Sequence, residues 1–371
     1  RTHGYSRSKR PDLPQINLIL GVSNHYIPLL FDAFSGNAPD PTMFKLILEK
    51  CKREYEPLLN KVKEKYLVFD KGNNSKDNIR ELDTLCKVWK CYFVASVRPS
   101  LSGVKKQLEQ LIVEELPVIY EQKRTHLRGK TITVNLYEIK RNVLLYVNEE
   151  IARKEQEALL NVLNEIQENV VKINQRKDTI KNKISAVEDL LRKKRLFSFF
   201  KIEGENGTIK CRPIEKKVNA KLNSLGRFAI MTNDFSLDAV SIIRIYKTTR
   251  VVEHEFHILK SVLSLYPLRH RKKERIKIHC ALIIWGAMAY ALLRALLLAH
   301  KMEFTFEGLK EKIKEGYVSI GDYIYPGYKS FRIQRTLNLS PSLQTIFKLF
   351  KLDFDYFEIT LLPTTERKNN E

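Results

Sequence analysis

The spacing of apolar positions along this chain changes several times, and each change predicts an element. Residues 16–22 and 27–34 read as two strands joined by a turn at Asn24-His25, so they form a hairpin. Asp40-Pro41 opens a helix over 42–54, with the proline in the first turn, where its missing N–H costs nothing. The short apolar run Tyr66–Phe69 predicts a buried strand. Ser75 is placed to cap a helix over 76–87, and 92–97 predicts another strand. Strand, helix, strand with short links predicts an α/β region with some parallel pairing.

Between about 103 and 224 the composition changes. A helix is predicted over 104–115 and paired strands over 131–136 and 142–147. A long helical stretch then runs from about 149 to 195. Its Leu159, Leu163, Ile166, Val170, Ile173, Ile180, Ile184, Val187 and Leu191 follow an alternating 4-3 spacing, which Lys177 breaks. Two readings of that seam stand side by side: an antiparallel helical arm folded near 174–178, or a coil that pairs two copies as a homodimer. Gly204 and Gly207 divide 197–213 into a hairpin, and 227–232 predicts a buried strand. Ser236 is read as the cap of a helix over 237–246.

The next stretch carries the chemistry. Val252, Phe256 and Leu259 recur at i, i+4 and i+7 and predict one helix over 246–260. Tyr246, Arg250, Glu253 and Lys260 then line a neighbouring polar face. A carboxylate between cations and a phenol suits a metal ion held beside a phosphate. His254, Glu255 and His257 lack the H-E-x-x-H spacing of a zinc protease helix.

The apolar run 278–299 is interrupted by His279 and Arg294. An intramembrane charge costs a few kcal/mol, so a buried core helix is expected here, and no membrane partner. Beyond it come a helix over 306–314, a loop around Pro326-Gly327 and an amphipathic piece over 343–350. The ends, 4–15 and 364–371, read as an exposed loop and a disordered polar tail.

Charge narrows the choice of partner. The formal net charge of +22 and pI near 9.6 favour a polyanion, nucleic acid before an acidic membrane surface. The five cysteines are scattered and odd in number, which fits a reducing cytosol. Cys86 and Cys91 have four residues between them, but no His/Cys pair follows at zinc-site spacing. Asp70 ends an apolar strand and precedes Lys71-Gly-Asn-Asn-Ser75. In α/β sheets ligands gather at that edge.

Asp70 in Val-Phe-Asp-Lys-Gly-Asn-Asn-Ser, followed by Tyr246, Glu253 and Lys260, resembles the DDE transposases of bacterial and archaeal insertion sequences. The narrower resemblance is to the group with a Tyr-x2-Arg-x3-Glu-x6-Lys pattern around the last acid. Gly4-Tyr-Ser with Arg10-Pro-Asp-Leu-Pro-Gln15, Gly36-Asn37, Gly226-Arg-Phe with Thr232-Asn233, and the 260–279 region resemble further family segments in order.

The resemblance implies an α/β fold: an RNase H-like core with a mixed α/β insertion between the second and third acids. The core would occupy 1–102 and 225–300, the insertion 103–224, and a C-terminal region 301–371. It implies Asp70 and Glu253 as catalytic metal ligands, Mg2+ or Mn2+ as cofactor, and Tyr246, Arg250 and Lys260 as DNA contacts. The implied partners are transposon-end and target DNA, and the implied location is cytoplasmic and nucleoid-associated.

Two departures go with it. The pattern's Arg falls on Thr249, with Arg250 next, and one residue turns a helical side chain by about 100°. The family's first Asp lies upstream of the Gly-Tyr-Ser segment, and neither Asp12 nor Asp32 stands in its place. The expectation is therefore a truncated, inactive copy. The alternative is a non-catalytic DNA-binding or dimerisation protein derived from a transposase.

Overall fold

The computed structural model describes residues 15–361 other than 60–64, 124, 206, 264, 266–267, 269, 271, 316, 324–330, 338–339 and 350–356. The loop expected at 4–15 therefore falls almost wholly outside the described residues, and the loop around 326–327 and the tail at 364–371 fall entirely outside them. The chain divides into two compact units, Asn37–Arg250 and Arg1–Gly36 with Val251–Glu371. The second unit opens with β1 (Ile16–Val22) and β2 (Pro28–Ser35), an antiparallel hairpin running from Ile16 opposite Ser35.

The unit Asn37–Arg250 is mixed α/β. It starts with α1 (Asp40–Lys50), a π-helical turn Cys51–Tyr55 and the short α2 (Glu56–Leu59). β3 (Tyr66–Phe69), α3 (Lys76–Trp89) and β4 (Tyr92–Val97) follow, and β3 and β4 pair in parallel as the short links require. Ser75 caps α3, its hydroxyl accepting from the Asn78 N–H at 3.1 Å. Then come α4 (Ser102–Glu109), β5 (Val118–Gln122), β6 (Thr125–Leu136) and β7 (Ile139–Asn148).

Three strands of the stretch read as an insertion, β5, β6 and β7, join the same sheet. Its order is β3-β4-β10-β7-β6-β5, with β10 (Arg227–Thr232) antiparallel to both β4 and β7. Alternation along the strands gives the sheet two buried faces. Val94, Leu144 and Ile230 pack with Ile242 and Ile243 of α8 (Ala239–Lys247), while Phe69 meets Phe44 and Phe93. Arg141 is 2% exposed. It pairs with both oxygens of Asp83 on α3 and lies over the Phe93 ring.

Between β7 and β10 the chain makes an arm. α5 (Glu149–Asn174) and α6 (Ile180–Lys193) fold back at 175–179, and β8 (Phe200–Glu205) and β9 (Thr208–Pro213) form a hairpin against them. Ile166, Val170, Ile173, Val187 and Leu191 close a core with Leu196, Phe200, Ile209 and Cys211. The seam is thus covered within the chain, as the helical-arm reading expects. Polar groups lock it. Asn174 exchanges two hydrogen bonds with the Ile209 backbone, at 2.9 and 2.7 Å. The buried Lys183 ammonium donates to the Asn174 and Gly207 carbonyls, at 3.0 and 3.1 Å. α7 (Glu215–Ser224), like β5, shows no clear period in the sequence. Gly226 precedes β10 with φ +68, and a Cβ there would meet the Ala152 backbone at 2.6 Å, so only glycine fits.

The other unit resumes at Val251, within α9 (Arg250–His257), and continues into a π-helical turn over Ile258–Val262. α10 (Lys273–Ala299) follows, then α11 (Phe306–Glu315), β11 (Tyr317–Tyr323), β12 (Phe331–Leu337), α12 (Pro341–Leu349) and β13 (Phe357–Leu361). β11, β12 and β13 form an antiparallel sheet. Among the described residues, α10 is covered along one side. Its Ile276, Cys280, Ile284 and Ala287 pack with Leu20, Leu259 and Leu265, whereas Ile278, Leu282, Trp285 and Leu292 are each more than half exposed. Among the described residues it is the one helix long and apolar enough to cross a membrane. The expected core helix is thus buried along one stripe, with exposed apolar residues outside it.

Candidate active site

Asp70 follows the last residue of β3 with extended backbone, and its carbonyl accepts the first hydrogen bond of a 3-10 turn over Lys71–Asn73. The side chain is exposed. Ser96, near the end of the parallel neighbour β4, donates its hydroxyl to Asp70 Oδ1 at 2.5 Å. The Ser96 oxygen in turn accepts from the Lys71 N–H at 2.8 Å, and Asn74 Nδ2 donates to the Ser96 carbonyl at 2.8 Å. Two adjacent parallel strands thus end in one hydrogen-bonded cluster that orients a single carboxylate. Its second oxygen takes no hydrogen bond among the described residues.

α8 brings other groups to this unit's chemistry. Its start is capped by Asp238, whose carboxylate accepts from the Ser241 N–H at 2.8 Å. Ser236, expected in that role, instead donates to Asp234 Oδ1 at 2.6 Å. Burial opposes ionisation of Asp234, yet the hydrogen bonds from Ser236 and Tyr66 outweigh it and hold the carboxyl below its ordinary range. α8 packs on the sheet and carries Tyr246, half-buried, near its C-terminal end. Tyr146 of β7 stacks on Phe228 at 5.4 Å. Its phenol is pushed up, first by burial and then by the charges of Tyr246 and Asp70. Tyr146 therefore lies within electrostatic reach of both predicted site residues.

Tyr246 and Glu253 do not share one unbroken helix. α8 ends at Lys247, and α9 begins at Arg250. The cause is local. The hydroxyls of Thr248 and Thr249 donate to the Ile245 and Tyr246 carbonyls at 2.7 and 2.9 Å, while their N–H groups reach back only to i−3. Such back-bonding competes with the helical ladder. The uniform polar stripe inferred from spacing is corrected accordingly. Thr249, which takes the place of the pattern's arginine, closes this helix end. Lys260 lies in the π-helical turn over Ile258–Val262.

Tyr246 and Arg250 belong to the same unit as Asp70, whereas Glu253 and Lys260 belong to the other. Arg250, Glu253 and Lys260 are exposed. Sequence reasoning missed Lys247, whose ammonium sits 3.3 Å from the Tyr120 ring centre. Burial, helped by the charge of Arg250, pushes it down to about 8. It also missed Glu255. That side chain is 1% exposed, its Oε2 has no hydrogen-bond partner among the described residues, and burial pushes it up to about 7 against the pull of Arg294. The signal for both was weak, because each is a charged residue at an unremarkable helical position.

Among the described residues no group of three His, Cys, Asp or Glu side chains is placed to hold a metal. Asp70 by itself offers a hard oxygen donor of the kind Mg2+ or Mn2+ takes, with one or two carboxylates and the remaining positions filled by water or phosphate. A comparison with curated proteins finds no match. The model of the transposase DDE domain matches residues 1–292, and by that match this basic chain, with an oriented aspartate at the end of a parallel strand pair, belongs to the DDE transposase family.

Proposed function

We propose that the chain is a DDE-type transposase acting on transposon ends and target DNA, with Asp70 and Glu253 as two carboxylate ligands of Mg2+ or Mn2+. The core is read as RNase H-like, with the parallel β3–β4 pair as the part that presents the second acid. One observation carries the reading: an exposed carboxylate at the end of β3, oriented by Ser96, in a unit that also holds Tyr246 and Arg250. When bound, the metal would supply a Lewis acid that activates water or a 3′-hydroxyl and stabilises the leaving oxygen. Ser96 fixes the direction of the Asp70 oxygen. Arg250 and Lys260 hold phosphate by charge-assisted hydrogen bonds, and Tyr246 donates to the same backbone. The net charge of +22 draws DNA toward the protein from a distance, in the cytoplasm at the nucleoid.

The test is nicking of supercoiled plasmid by the full chain with Mn2+, compared with Asp70→Asn and Glu253→Gln. Nicking that survives both substitutions rejects the reading. A second reading, a non-catalytic DNA-binding or homodimeric protein, is supported by the net charge of +22, which draws a polyanion whether or not chemistry follows. It predicts salt-dependent DNA binding without nicking in any metal. DNA affinity indifferent to salt would sink both readings.

A further inference from the structure

The end of α3 brings together two thiols that the proposed chemistry does not use. Lys90 takes φ +50, in the left-handed region, and the Cys91 N–H donates to the Cys86 carbonyl at 3.0 Å. This is the closing hydrogen bond of a Schellman end, in which a residue of the last helical turn, here the fourth from the end, and the second residue past the helix are brought side by side. Those positions usually carry an apolar contact. Here they carry cysteines, with the sulfurs 3.2 Å apart and the residues 3% and 5% exposed. Residues joined by a backbone hydrogen bond lie within the span a disulfide bridges, and the sulfurs need approach by only about 1 Å to reach bonding distance.

We propose that Cys86 and Cys91 form a redox-modifiable pair that closes to an intrachain disulfide when the protein meets a hydroperoxide. The Cys91 thiolate attacks one oxygen of hydrogen peroxide, giving Cys91 sulfenic acid and hydroxide. The Cys86 sulfur then attacks the Cys91 sulfur and expels water. The hydroxide takes the proton that Cys91 lost, so two thiols lose two electrons and one peroxide becomes two waters. The order follows from the surroundings. The hydrogen bond between the two thiols holds Cys91 below the ordinary thiol range despite burial, and the Lys65 ammonium assists. Lys65 is anchored by donating to the Trp89 carbonyl at 2.6 Å. Cys51 and Cys211, by contrast, are each pushed up by burial to about 11. The small size of peroxide suits thiols this enclosed. The bond would tie the last turn of α3 to the residue just before β4, the strand that carries Ser96. This inference stands apart from the proposed DNA chemistry.

Digestion decides it. Trypsin cuts after Lys87 and Lys90 and so separates the cysteines into peptides 81–87 and 91–105. The native full chain is treated with hydrogen peroxide, alkylated, digested without reductant and weighed. The expected product is one species joining those two peptides, split by dithiothreitol, with two of the five thiols lost. In Cys86→Ser the joined species disappears, and Cys91 becomes reactive to a sulfenic-acid probe. The wild-type digest suffices if that variant does not fold. Five free thiols after treatment, or cysteines oxidised singly with no joined species, would overturn the proposal.

Discussion

The helical arm and α10 are both long helical stretches, and they are finished differently. The arm carries one alternating apolar seam among charged residues, whereas α10 is apolar on more than one face. In the arm, α5 turns back through 175–179 into α6, and the β8–β9 hairpin covers what the two helices leave open. Every seam residue from Ile166 to Ile173 and from Val187 to Leu191 finds apolar neighbours in its own chain. Among the described residues, α10 is covered against β1, β2 and the turn at Ile258–Val262, and at its end against α11 and α12, while Ile278, Leu282, Trp285 and Leu292 stay exposed. Apolar spacing tells which residues want cover. It does not tell whether the chain has an element left over to supply it.

The contrast can be pressed by substitution, starting where the loss should be greatest. Leu191→Ala removes a fully buried side chain from the arm and should cost about 2–5 kcal/mol, read as faster hydrogen exchange through 149–213. Ile284→Ala on the covered side of α10 should cost a similar amount, because it too is fully buried. Equal, small effects at both sites would mean that neither core is packed as described.

Lys183→Ala comes next. It leaves the Asn174 and Gly207 carbonyls short of a donor, and a buried unpaired group costs about 1–3 kcal/mol. The measurement is the urea midpoint, with Lys181→Ala, an exposed neighbour, as the control.

Glu255 probes the covered side of the second unit through pH. Its folded carboxyl titrates near 7, above its unfolded range, so the native state binds the extra proton. Stability contributed by this group is therefore greatest below about pH 4 and falls as pH rises toward 7. Glu255→Gln should flatten that decline in thermal midpoint. A wild-type midpoint that rises over the same interval, and that the substitution leaves unchanged, contradicts the burial argument.

The smallest effect belongs to the open side of α10. Leu282→Ala should change stability by no more than about 0.5 kcal/mol, as surface substitutions do. A cost of several kcal/mol, measured in the same urea titration as Ile284→Ala, would show that this side is covered in solution.

Much of the fold was legible because its causes are local. Tyr66–Phe69, 92–97 and 227–232 announce themselves by short apolar runs, and Ser75 by its place three residues before the N–H it caps. The position of Asp70 at a strand end follows from the same run. The break at Thr248–Thr249 is also local, yet apolar spacing hides it, because Val252, Phe256 and Leu259 keep helical period within α9 and the turn that follows it. Hydroxyl back-bonding is not visible in a hydrophobic pattern.

The sequence by itself therefore determined most of the strands and helices, the cap at Ser75, the basic surplus and the aspartate at the end of β3, since each depends on a few neighbouring residues. Tertiary structure alone decided that β10 lies between β4 and β7, that Ser96 orients Asp70, that the arm closes on itself while α10 keeps one side open, and that Glu255 is buried. Those outcomes rest on contacts between residues far apart in the chain, whose balance of burial and hydrogen bonding no local period records.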